Sequence, residues 1–285
     1  MAELKHAFIQ TNGIRLHYVT AGKGPLVVLL HGFPEFWYEW RHQIPLLAKH
    51  FTVVAPDLRG YNESDKPSKV ADYRLSVVEE DIVGLIHELG HEKALIVGHD
   101  WGGAVAWRLA LDHPEVVKKL VILNSPHPQM FAKAMAKFKQ VRKVWYMLFF
   151  QLPFLPELLI KINLKAALRF IMQKKARNKS AITDADIDQY VAALRKPHAI
   201  ASALNYYRAA FRNRKKETSL KGKKIDAPTL LLWGLNDPVL GKDLTEGMDP
   251  LFNTTCEVHY LKNCSHWVNE EQPEEVSKEL LAFLR

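Results

Sequence analysis

Three residues of this chain have the types and the order that covalent chemistry needs: Asp100, Asp237 and His266. Asp100 sits in Gly98-His99-Asp100-Trp101-Gly102-Gly103, after the apolar run Leu95-Ile96-Val97 and before a helical pattern that starts at Ala104. Strand, tight turn and helix, with small residues around one reactive side chain, form the layout of a nucleophile elbow. A carboxylate there differs in its chemistry from the more familiar serine. Attack on a saturated carbon by serine leaves an ether that water does not readily cleave, whereas attack by aspartate leaves an ester that it does. The layout therefore points to alkyl transfer rather than acyl transfer. The same residues also fit a plainer reading, in which Asp100 caps the following helix near its positive end.

An attacking carboxylate needs a base for the second step and an acid to orient that base. Asp237, in Trp233-Gly234-Leu235-Asn236-Asp237-Pro238, follows a buried strand-like run, and His266, in Cys264-Ser265-His266-Trp267, follows the next one. The chain has 13 histidines, so His266 is singled out by its joint occurrence with the elbow and the strand-end Asp237, not by its residue type. A competing motif is His87-Glu88-Leu89-Gly90-His91, which on a continuous helix would offer two zinc ligands on one face. Gly90 falls where that helix should stop, so His91 is expected beyond the last turn and no metal site is expected.

The surrounding pattern supplies elements to hold these residues. Asn12-Gly13 marks a two-residue hairpin, Leu26 to Leu30 reads as a strand buried on both faces, and a helix-like stretch from Trp37 to Lys49 leads to a strand at Thr52 to Ala55. Leu75 to Leu89 has helical apolar spacing, and strands follow at Lys119 to Leu123, Pro228 to Trp233 and Glu257 to Leu261, with a last helix at Pro273 to Leu284. Such alternation predicts an α/β fold, a mostly parallel sheet with helices on both faces. Between Ser125 and Lys221 the strand signal stops, and Thr183-Asp184-Ala185-Asp186 resembles a capping-box helix start. The expected division is a core at 1–125, a helical insertion at 126–221 and the rest of the core at 222–285.

Composition narrows the classes. The chain has 285 residues, 48% hydrophobic and 25% charged, an ordinary globular balance. Its net charge of +8 is concentrated in 133–179 and 208–224, and with no accompanying nucleic-acid motif it reads as a solvated basic face. The most apolar stretch, Val144 to Ile160, is interrupted by Gln151, Pro153, Pro156 and Glu157, so no integral membrane segment is expected. The first residues lack a signal layout and only Cys256 and Cys264 are present, which suggests a cytoplasmic location and free thiols.

Over essentially its whole length the chain resembles the α/β-hydrolase-fold epoxide hydrolases. The matching stretches are HGFPEFWYEWRHQIP (31–45), PDLRGYNESDKP (56–67), GHDWGG (98–103), WGLNDP (233–238) and SHWVNEEQP (265–273), with the weakest match in the helical cap. The resemblance implies Asp100 as nucleophile, His266 as base and Asp237 as its partner, with the Phe33 and Trp101 amides as an oxyanion hole and a cis bond before Pro34. It also implies two cap tyrosines that donate to the departing epoxide oxygen, Tyr146 and Tyr207. For Tyr207 the periodicity agrees, since Ile200, Ala203, Leu204, Tyr207 and Phe211 form one stripe from which Tyr206 lies about 100° away. For Tyr146 nearly every neighbour is apolar, and Trp145 and Tyr190 remain open as substitutes. Phe33, Trp101, Tyr146, Tyr207 and Trp267 are the side chains expected to contact substrate.

The implied partners are a small apolar epoxide and water, without cofactor or metal, in a monomer or homodimer. A haloalkane or haloacid dehalogenase shares the aspartate nucleophile, but the first family usually places Asn at the position of Phe33 and the second an Arg just after the nucleophile. An esterase would need serine in the elbow, and a non-catalytic receptor on the same fold would not need Asp100, Asp237 and His266 together.

Overall fold

The computed structural model describes residues 3–136, 138–212, 220 and 222–285. Eight strands, β1 (Lys5–Thr11), β2 (Ile14–Ala21), β3 (Leu26–Leu30), β4 (Thr52–Pro56), β5 (Ala94–His99), β6 (Val117–Leu123), β7 (Thr229–Gly234) and β8 (Cys256–Leu261), form one sheet. Its order is β1-β2-β4-β3-β5-β6-β7-β8. β1 and β2 pair antiparallel around the Asn12-Gly13 turn, where both residues have positive φ, and β2 joins β4 antiparallel. From β4 to β8 every pairing is parallel.

Parallel strands covered on both faces should be apolar throughout, and Leu26–Leu30 is buried at every position. Val28 and Leu30 enter one core with the helices Leu75–Glu88 and Asp100–Asp112, while Val27 and Leu29 enter a second core that includes Val276 and Leu280 of the C-terminal helix. The chain leaves β3 for β4 on one side and returns for β5 on the other. The carboxyl ends of β3 and β5 therefore flank a topological switch point, where open α/β sheets bind ligands.

One sequence expectation changes in detail. The stretch expected to be helical from Trp37 to Lys49 is a 3-10 turn at Trp37–Trp40 and a single turn at Ile44–Leu47, since Pro45 lacks the N–H that a continuous helix would use. The helix Leu75–Glu88 ends in a Schellman arrangement, with Gly90 at φ 81° and the His91 amide donating to Ile86 O at 3.1 Å. His91 is thus outside the helix and the zinc-ligand geometry does not form.

Between β6 and β7 the described residues contain helices and no strand, including Trp145–Phe149, Leu155–Ile162, Leu164–Leu168, Asp184–Leu194 and Ala199–Arg212. Thr183 and Asp186 form the capping box. Ala199–Arg212 is tied to the sheet layer by Tyr206, whose hydroxyl donates to Arg59 O at 2.9 Å, and by Ser202, which accepts from the Tyr73 hydroxyl at 2.8 Å.

The helix Asp100–Asp112 lies so close to β3 that a Cβ on Gly102 would stand 2.1 Å from the backbone oxygen of Leu30. Gly102→Ala is therefore expected to lose about 1–3 kcal/mol of stability, the range of a forced core displacement. Urea unfolding checks this, and an unchanged midpoint would contradict the close packing.

Candidate active site

Asp100 begins its helix directly after β5 and has φ 48°, a left-handed conformation that costs a side-chain-bearing residue energy. The strain is held by neighbours. Ser125 Oγ donates to the Asp100 backbone oxygen at 2.8 Å, and the Phe33 amide donates to Asp100 Oδ1 at 2.9 Å. Phe33 is presented by the turn after β3, where the Phe33–Pro34 bond is cis. One carboxylate oxygen is thus occupied by an amide. The other, Oδ2, lies 3.4 Å from His266 Nε2.

His266 Nδ1 is 2.7 Å from Asp237 Oδ2, which also accepts from Asn124 Nδ2 at 2.8 Å. The Val239 and Leu240 amides both donate to Asp237 Oδ1 at 2.8 Å. Burial alone would raise the Asp237 carboxyl, yet the charge and hydrogen bond of His266 and these two amides hold it below its ordinary value. Asp100 is likewise depressed against its burial, chiefly by His266 and also by the charge of His99 and the Phe33 amide. For His266, burial opposes the charge, but Asp237 and Asp100 outweigh it and push the imidazole up to about 10. The plainer reading of Asp100 as a solvated helix cap does not describe a half-buried carboxylate that is held by the Phe33 amide and faces His266.

A cavity of about 310 Å³ opens onto Asp100 and Trp101 and is otherwise mainly apolar, with Met135, Met147 and Phe131 in its wall. Tyr146 and Tyr207 line it too, their ring centroids 6.0 Å apart. Burial and the Asp100 charge raise both phenols above their ordinary value, so both keep their protons. Tyr206 spends its hydroxyl on Arg59, as its place off the Tyr207 stripe suggests. Tyr190 donates to Glu270 Oε1 at 2.6 Å and Trp145 is 62% exposed, and neither lines the cavity.

Two expected substrate contacts sit differently. Trp267 is buried in a cluster with Phe36, Leu168, Met172 and Tyr190 and is not in the wall of this cavity. It adjoins His266 in sequence, but both lie in the loop after β8, outside any strand or helix, and Trp267 turns into the cluster beside Tyr190. The Phe33 ring is not in the wall either. It packs edge-on against Tyr207 at 5.3 Å, leaving its amide as its contribution at Asp100.

A buried group beneath Asp100 escaped the sequence reading. His99 Nδ1 is 3.2 Å from Glu39 Oε2 and 3.4 Å from Glu35 Oε2, while Nε2 is 3.0 Å from the backbone oxygen of His266. With acceptors at both nitrogens the ring is an imidazolium, and the two carboxylates raise His99 well above its ordinary value against the effect of burial. Glu35 is pushed up to about 8, first by burial and then by the Glu39 charge. These three side chains form the one cluster among the described residues with donor spacing suited to a cation, and the His99 proton supplies a positive charge there. The available signal was their proximity in HGFPEFWYEW and GHDWGG, but those stretches meet only through sheet topology.

Residues 25–273 match the family described as alpha/beta hydrolase fold. The chain is 40% identical to the AB hydrolase superfamily protein YfhM of Bacillus subtilis, covering 100% of this chain and 99% of that protein. It is 37% identical to human epoxide hydrolase 4, covering 97% of this chain and 77% of the relative. An epoxide hydrolase structure from Bacillus megaterium superposes with a TM-score of 0.89 at 32% identity, covering 98% of this chain and 99% of that one. One from Vigna radiata gives 0.88 at 30% identity, covering 99% and 98%. The chain belongs to the α/β-hydrolase-fold epoxide hydrolases.

The raised groups set a pH dependence of stability. Between 4.5 and about 8 the folded state holds a proton on Glu35 that the unfolded chain releases, so stability falls as pH rises through that window. His266 acts with the same sign between 6.5 and about 10. Glu79 and Glu270, both pushed up to about 7 by burial, contribute with the same sign. Glu35→Gln is therefore expected to reduce the slope of the lower window, most between 7 and 8, and leave the upper one, measured by chemical unfolding across pH. A steeper fall in the variant would contradict the assignment.

Proposed function

We propose that this protein hydrolyses an apolar epoxide to a vicinal diol through an alkyl ester on Asp100, with 1–125 and 222–285 as the hydrolase core and 126–221 as the cap. The observation that carries the reading is the shared cavity, in which a carboxylate with one oxygen already held by an amide faces two protonated tyrosines. Family membership supports the same reaction class, and one Bacillus megaterium epoxide hydrolase structure holds its product, a naphthyloxy-propane-1,2-diol.

In the first step Asp100 Oδ2 attacks an epoxide carbon from the side opposite the ring oxygen. The carbon–oxygen bond breaks, and a proton from Tyr146 or Tyr207 neutralises the alkoxide. Apolar walls exclude water from this step and suit an apolar substrate. Ester formation removes the Asp100 charge, one of the two that raise His266, so the imidazolium releases its proton to solvent and the neutral ring is available as the base of the second step. It is reprotonated from solvent when the Asp100 charge returns. Water then attacks the ester carbonyl and gives a proton to His266 Nε2, which Asp237 orients.

The oxyanion forms on Oδ1, where the Phe33 amide already donates. The Trp101 amide, in the first helical turn and without an intrahelical acceptor, is the second donor. Collapse returns the proton to the departing Oδ2, which leaves with the diol, and the proton remaining on the new Asp100 carboxyl restores the tyrosine. A halide leaving group would call for a second indole N–H at the cavity, and the exposure of Trp145 speaks against that reading.

In single turnover in heavy-oxygen water, the first diol is expected unlabelled and the label is expected in Asp100. Label in the first diol would overturn the ester mechanism. Tyr146→Phe or Tyr207→Phe is expected to slow ester formation about tenfold or more, and the double variant about 10²–10⁴-fold. Full turnover in the double variant would remove the tyrosines from the reaction. Asp237→Asn should slow the second step and let the ester accumulate, visible as a mass increase on the protein by the substrate mass.

A further inference from the structure

The helix Leu155–Ile162 is inverted relative to an ordinary surface helix. Leu155, Leu158, Leu159 and Ile162 stand at i, i+3, i+4 and i+7, a single apolar stripe, and all four are exposed, Ile162 at 71%. On the opposite side Glu157 is ion-paired to Arg208 at 2.5 Å and Pro156 is buried. The stripe continues through Phe154, which is 84% exposed and adopts φ 61°. A phenylalanine held in a strained backbone conformation with its ring in solvent is a costly arrangement for a surface without a partner. Trp145 and Leu148 are likewise exposed on the short helix Trp145–Phe149, whose other side carries Tyr146 and Met147 into the cavity.

The charge around this face is one-sided. Residues 126–183 contain twelve Lys or Arg and one acidic residue, Glu157, in a chain whose total is +8, so the remainder is net negative. Lys165 and Arg169 are paired with Asp188 and Asp184, but Lys161, Lys174 and Lys175 are exposed and have no ion-pair partner among the described residues. Lys175 lies over the exposed ring of Phe170, 5.4 Å from its centroid.

We infer that this face, from Trp145 to Phe170, docks on an anionic lipid bilayer, lying at the headgroup level without crossing it. Apolar side chains flanked by unpaired lysines fit such a surface, which offers hydrocarbon below and negative charge above. A second copy of the chain fits less well, because a symmetric contact would set two strongly basic segments against each other. No helix among the described residues is long and apolar enough to cross a membrane, in keeping with interfacial docking. The inference rests on this surface and not on the chemistry at Asp100.

The test is flotation of the full chain with vesicles of equal parts phosphatidylglycerol and phosphatidylcholine, and with phosphatidylcholine alone. The protein is expected to float with the anionic vesicles and to be released by added salt. Phe154→Gln/Leu158→Gln/Ile162→Gln is expected to weaken partition about tenfold or more, and Lys161→Glu/Lys174→Glu/Lys175→Glu to abolish the preference for anionic lipid. Thermal melting verifies the fold of each variant independently of epoxide turnover. Wild-type protein that stays with the soluble fraction would overturn the inference whatever the variants do. So would apolar variants that float as well as wild type. A wild-type dimer that these variants dissociate, with no flotation, would assign the face to a second copy instead.

Discussion

The structure depends on a carboxylate held in a strained turn at the floor of a cavity. Asp100 has a left-handed backbone, and only 21% of its side chain is exposed, both of which disfavour the folded state. Compensation comes from elements distant in sequence. The Phe33 amide follows β3, the Ser125 hydroxyl follows β6 and the His266 imidazole follows β8. Each acts only if the sheet has assembled in its observed order, so the elbow geometry and the sheet topology require each other. Gly102 belongs to the same constraint, because any side chain there would push the helix off β3 and carry Asp100 away from Phe33.

Charge around that carboxylate is arranged in alternation. Asp237, His266 and Asp100 form one line of opposite signs, and Glu39, Glu35 and His99 form a second group beneath it. The two imidazoles have ring centroids 4.9 Å apart, and His99 lies close enough to depress Asp100 and to oppose the protonation of His266. A buried imidazolium would be costly alone, and two buried carboxylates more so. Together they compensate one another, with Glu35 taking up a proton. The His99 charge that lowers Asp100 is thereby held by groups with no solvent access.

What could be read in the sequence was local. Apolar runs such as Leu26–Leu30 identify buried strands because a parallel sheet covered on both faces leaves no polar alternation, and the order of Asp100, Asp237 and His266 follows from strand ends. Tyr207 was distinguishable from Tyr206 because one helical step turns a side chain about 100°, and the structure sends one ring to the cavity and the other to Arg59. No such signal exists for Tyr146, whose neighbours are apolar on every side, and there the family resemblance carried the choice. Glu35 and Glu39 passed unnoticed because their partner His99 is sixty positions from Glu39 and meets it only across β3 and β5. Trp267, expected to contact substrate, instead packs with Phe36, Leu168 and Tyr190, because the loop after β8 carries no periodicity from which its direction could be read.

The helical segment between β6 and β7 joins the buried chemistry to the outer surface through one residue. Arg208 follows Tyr207 and reaches the stretch carrying Tyr146, donating to Phe150 O at 3.0 Å and to Leu152 O at 2.8 Å while pairing with Glu157. Gln151 donates to Tyr207 O at 3.1 Å from the other direction. These bonds fix the two tyrosines relative to each other although their elements lie far apart in the chain. They also fix the helix Leu155–Ile162, since Glu157 on its inner side is the residue that Arg208 grips, and this leaves the apolar stripe no orientation except outward. The same guanidinium that sets the spacing of the two phenols over Asp100 therefore also sets which face the segment presents to its surroundings.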